Sequence, residues 1–207
     1  FLDHVETGNG DIYEIKEKLL EFGEVTDDLT ILRIGFQEIS TTDTEETEAE
    51  STIGVETYYF EAKKHLKQGD HGKAISLLSK SYSIDKTNLR VNKLLGLLSF
   101  KGKDYTIASE VLARYLEQDP ETSEYWYYLS IAEKKVGRLE SALEAGLKLH
   151  SLQSENVQNL VNLADIYRAL EQIEESFLFS QKALYLEPEN KSAKKLYDLI
   201  SKRRQSD

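Results

Sequence analysis

From residue 56 to residue 190 apolar side chains recur at steps of three and four, in blocks of about 13 residues separated by short polar turns. That period predicts amphipathic helices following one another in pairs. The segments beginning at Tyr58, Asn92, Trp126 and Leu160 superimpose without gaps at a spacing of 34 residues. Small residues recur where two helices of a unit must touch: Ala62, Gly96, Ser130 and Ala164 in the first helix, Ala74, Ala108, Ala142 and Ser176 in the second. A bulky side chain at these places would push the helices apart. Gly69 and Gly137 precede second helices, and Pro120 and Pro188 stand where a second helix must stop.

The pattern resembles the tetratricopeptide repeat, a helix-turn-helix unit of the same length. Leu163, Ala164, Tyr167, Ala183 and Pro188 match its signature in the fourth unit, and Trp126 and Leu129 match in the third. Lys86 and Ser154 replace the closing proline, His65 and Ser99 the tyrosine, and Gly146 a large residue of a second helix; these departures weaken single units without breaking the period. The resemblance implies an all-α fold, a right-handed superhelix of four repeats at 55–88, 89–122, 123–156 and 157–190. A capping helix follows in 191–207, with Leu196, Leu199 and Ile200 on its apolar side.

The first quarter of the chain reads differently. "DIYEIKEKLLEFG" predicts a short helix and "DDLTILRIGF" a strand, too little to bury a core alone. This helix-strand run resembles the carboxyl-terminal edge of the PPM family of metal-dependent Ser/Thr phosphatases, in its SpoIIE-type branch. The resemblance implies that residues 1–36 are a remnant of an α/β phosphatase domain, and that Asp27 matches a ligand of the manganese or magnesium ion of an intact parent enzyme. One matched carboxylate cannot assemble a site for a hard divalent cation. No catalytic residue is assigned, and this chain is expected to be inactive and to need no cofactor.

Charge divides at the same boundary. Residues 1–55 hold 15 acidic and 3 basic side chains, whereas the remainder is close to neutral. Residues 37–54 are acidic, Thr-rich and free of aromatics, the composition of a linker. Nucleic acid is excluded as a partner by the lack of a basic footprint. No apolar run is long enough to span a bilayer, so this segment makes no membrane contact. The chain has no cysteine, which suits a reducing compartment and a cytoplasmic location. It begins with Phe1, as expected of a piece of a longer signalling protein. His4, His65, His71 and His150 lack metal-ligand spacing.

Function therefore rests on the repeats, which point to protein–protein interaction through a concave surface lined by first helices. In the repeat register that surface carries Tyr59, Lys63, Lys67, Arg90, Lys93, Leu97, Phe100, Lys101, Tyr127, Ile131, Lys134, Lys135 and Arg168. Basic residues outnumber the acidic Glu56, Glu124 and Asp165 on the same face, so the expected ligand is an acidic peptide with apolar anchors. The alternatives are an active phosphatase in the parent protein, and self-association through residues 1–36, whose strand would present an unpaired edge.

Overall fold

The computed structural model describes residues 43–205, with side chains from residue 54 onward. Nine helices occur among the described residues: α1 Asp43–Lys67, α2 His71–Ile84, α3 Leu89–Lys101, α4 Tyr105–Gln118, α5 Ser123–Lys135, α6 Leu139–Leu152, α7 Val157–Ala169, α8 Ile173–Leu186 and α9 Lys191–Arg204. They pack as antiparallel pairs, α1 with α2 through α7 with α8, and α9 closes against α7 and α8. Leu89, Ser123, Val157 and Lys191 open helices at a constant 34-residue interval, and so do His71, Tyr105, Leu139 and Ile173. The predicted helix 11–23, the predicted strand 27–36 and Asp27 lie outside the described residues.

Helix starts are set by side chains that accept from otherwise orphaned amides. Asp70, Asn88, Asp104, Asn156 and Asn190 each cap the backbone N–H of a residue two or three positions on. First helices end in one shared turn. The amides of Asp70, Asp104, Arg138 and Gln172 donate back to the carbonyls of His65, Ser99, Glu133 and Tyr167 at 2.9–3.0 Å. The residue before each donor is left-handed, with φ of 80° at Gly69, 65° at Lys103, 87° at Gly137 and 62° at Glu171. Such a turn favours glycine because a Cβ is strained there.

All eight small positions are buried. At Gly96 a Cβ would come within 2.6 Å of Leu112 Cδ2, so α3 and α4 touch almost backbone to side chain. Gly146, expected to weaken its unit, does a similar job between repeats: a Cβ there would lie 2.8 Å from Leu163 Cδ2, and its carbonyl accepts 2.9 Å from Asn159 Nδ2. The missing large side chain is the condition for α6 and α7 to meet.

Two further expectations differ from the structure. Helix α1 begins at Asp43, inside the stretch read as a linker, because glutamate and alanine are strong helix formers and acidic residues suit a helix amino terminus. On α9 the buried stripe is Ala193, Leu196 and Ile200, whereas Leu199 is 53% exposed. Steps of three and four from Ala193 reach 196 and 200, and residue 199 falls to the side.

Candidate functional site

The positions predicted to line the groove are not a uniform row of free cations. Arg90 pairs with Glu56 of the preceding repeat and stacks 5.2 Å from the Tyr59 ring, which Lys63 also approaches at 5.8 Å. Lys93 lies between the rings of Tyr115 and Tyr125, at 5.5 and 5.4 Å, and its hydrogen-bonding environment at the Tyr115 hydroxyl raises its pKa. Leu97 and Phe100 are half-buried against the core around Leu112 and Tyr125, with Phe100 4.8 Å from Tyr128. Lys67, Lys101 and Lys135 stand exposed at the ends of α1, α3 and α5 and make no ion pair among the described residues.

Tyr127, Ile131, Lys134 and Arg168 are brought together. They line a cavity of about 440 Å³ between α5, α7 and α9, with Gln158, Val161, Asn162 and Asp165 from α7 and Ser192, Lys195, Leu196 and Leu199 from α9. The other predicted positions lie outside it. Sequence reasoning missed the α9 wall, although the signal was there: Ser192, Lys195 and Leu199 follow Gln158, Val161 and Asp165 at the repeat interval.

A polar network runs from this cavity into the third repeat. Lys134 Nζ donates 2.6 Å to Asn162 Oδ1 and 3.1 Å to Asp165 Oδ2; Arg168 donates to Asp165 Oδ1 at 2.7 Å. Asn162 Nδ2 donates to Ser130 Oγ at 2.7 Å, and Ser130 donates to the carbonyl of Ala142 at 2.7 Å. Burial opposes the ionisation of Asp165 most strongly, but the hydrogen bond from Arg168 and the charge of Lys134 together hold its carboxyl below the usual range. Lys134 and Arg168 thus share one carboxylate of the protein itself.

Also on α5, Tyr128 donates to Glu124 at 2.5 Å, a bond that pushes the pKa of its hydroxyl up to about 12. No group of three or more histidines or carboxylates among the described residues could hold a metal ion. No helix among them is long and apolar enough to cross a membrane.

Residues 65–130 match one tetratricopeptide repeat family model and residues 157–190 match another. Several solved structures share the fold. "MamA 41-end from Desulfovibrio magneticus RS-1" is 19% identical, with a TM-score of 0.63 over 73% of this chain and 86% of that one. The Arabidopsis OM64 TPR domain is 22% identical, with a TM-score of 0.52 over 55% and 94%. The APC/C hetero-tetramer Cut9-Hcn1 is 18% identical, with a TM-score of 0.55 over 69% and 29%. At such identities the likeness concerns the fold alone. No curated protein matches the chain.

Proposed function

We propose that this chain, a tetratricopeptide-repeat protein by its matching repeats and its fold, binds a segment of a partner protein along its concave face. In this reading the four helix pairs form a right-handed superhelical stack, and the partner lies across successive first helices as an extended strand or a helix. The observation that carries it is the cavity between α5, α7 and α9. Apolar walls there come from Tyr127, Ile131, Val161, Leu196 and Leu199, and three cations stand at its polar margin. Apolar area supplies affinity once water is excluded, and the surplus positive charge favours an acidic approach.

A photo-crosslinking amino acid introduced singly at Tyr59, Tyr127, Leu178 and Tyr185 tests the surface in extracts of the source organism. Leu178 and Tyr185 are 60% and 84% exposed on the second helix α8 and serve as off-groove controls. Discrete protein adducts should form from Tyr59 and Tyr127 only. Equal adducts from the α8 positions would overturn the groove assignment.

For residues 1–36 the reading remains the phosphatase edge, with Asp27 as a manganese or magnesium ligand in an intact parent, and the support is the "DDLT" run and its flanking pattern. This chain should not hydrolyse a phosphoserine peptide with manganese. Turnover abolished by Asp27→Ala would reverse that expectation. Self-association through this segment predicts that a 55–207 truncation is monomeric where the full chain is not, as light scattering would show.

A further inference from the structure

We propose that the cavity between α5, α7 and α9 takes a peptide segment in which a bulky apolar side chain is followed by a carboxylate, with Lys195 of α9 receiving that carboxylate. The proposal rests on the groove reading and gives its ligand chemistry. Helix α9 buries Leu196 and Ile200 at 9% and 1% exposure but leaves Leu199 at 53%, facing the cavity. Beside it stand Tyr127, Ile131 and Val161, each half-buried. An apolar group inserted here removes water from itself and from walls the fold has left partly wet. The volume, about 440 Å³, lies within the range of roughly 300–1,000 Å³ typical of ligand pockets.

Charge decides what accompanies that apolar group. Lys134, Arg168 and Lys195 face the cavity against the single carboxylate of Asp165. Asp165 is committed to Lys134 at 3.1 Å and Arg168 at 2.7 Å, and Lys195 makes no ion pair among the described residues. Among the described residues, an incoming carboxylate therefore meets one cation without a competitor and two whose only counter-ion is shared. A cationic segment would meet three like charges. Asp165 is then a built-in competitor that sets how acidic the ligand must be. The chain's own "TDTEETEAE" is acidic but carries no bulky apolar side chain, so it lacks the group the cavity would hold.

The test is selection of displayed random nine-residue peptides on the 207-residue chain, followed by fluorescence-polarisation titration of those enriched. Enriched peptides should share an aromatic or branched aliphatic residue followed by Asp or Glu. Lys195→Glu and Leu199→Glu should each weaken binding about tenfold, and Asp165→Asn should tighten it about threefold. Lys195 is exposed, so its variant reports on binding even if Leu199→Glu disturbs the fold. Peptides bound equally by both α9 variants, but lost in a Tyr59→Ala/Lys93→Glu pair, would overturn the cavity assignment and leave the groove reading standing. No enrichment at all would overturn both. Self-association suppressed by Leu199→Glu, with no peptide enriched, would give the cavity to a second copy of the chain and equally overturn the proposal.

Discussion

Ser130 Oγ donates to the carbonyl oxygen of Ala142 across 2.7 Å, binding the first helix of the third repeat to the second. The fourth repeat reverses the roles: Ser176 on α8 donates to the carbonyl of Ala164 on α7 at 2.6 Å. A helical carbonyl has a second lone pair, so the serine adds a bond without breaking the ladder. Of the two serines, Ser130 alone among the described contacts also accepts, from the buried Nδ2 of Asn162.

The two serines should therefore respond unequally to truncation. Ser176→Ala removes one hydrogen bond and should cost about 1 kcal/mol, whereas Ser130→Ala also strands a buried amide donor and should cost about 2–3 kcal/mol. Thermal unfolding checks the order, with about 2–4 °C expected per kcal/mol in a domain of this length. Equal shifts would show that Asn162 finds another partner.

Glycine substitutions should change sign with position. Gly→Ala in a helix ordinarily stabilises by up to about 1 kcal/mol. At Gly96 and Gly146 the new methyl would meet Leu112 and Leu163 at 2.6 and 2.8 Å, so overpacking should reverse the sign and cost about 1–3 kcal/mol. At Gly72, whose Cβ would find only the Asp70 Oδ1 at 4.0 Å, the ordinary stabilisation should appear. Denaturant melts of the three variants separate the cases.

The left-handed turns give a third expectation. Gly69→Ala and Gly137→Ala should each destabilise by about 1 kcal/mol, and Lys103→Gly and Glu171→Gly should each stabilise by about 0.5–1 kcal/mol, because the strain of a Cβ at positive φ is imposed or relieved. The gain is smaller than the strain because glycine also frees the unfolded chain. A destabilised Lys103→Gly would mean that the lysine side chain contributes more than its backbone costs.

These turns also mark what was legible in the sequence and what was not. The period, the helix pairs and the small contact positions follow from residue type, because packing leaves little choice at a point where backbones nearly touch. The turn conformation was visible at Gly69 and Gly137 but hidden at Lys103 and Glu171, where the neighbouring helices impose the backbone on residues that do not prefer it. The helical register of each first-helix position was legible residue by residue, but the electrostatics around those positions were not. Pairing of Arg90 with Glu56, and of Lys134 and Arg168 with Asp165, depends on which side chains adjacent repeats bring within reach, and a tally of charge cannot see that. The exposure of Leu199 needed the rotation of α9 about its axis, which one apolar residue more or less cannot fix.

His150 supplies the pH dependence. Its ring packs edge-on against Phe179 at 5.5 Å, its Nδ1 is buried with no hydrogen-bond partner among the described residues, and burial followed by the nearby Lys182 charge lowers its pKa. A histidine with a depressed folded pKa takes up its proton more readily in the unfolded chain. Its contribution to stability is therefore present above the unfolded value of about 6.5 and declines as pH falls below that. Carboxylates with lowered pKa, Asp119 and Asp165 among them, lose their contributions only in the more acidic range below about 4. Melting temperatures should thus fall in two stages, the first between about pH 7 and 5. His150→Phe keeps an aromatic ring against Phe179 and removes the titration, so it should flatten the first stage and leave the second. A first stage that survives the substitution would assign it to another group.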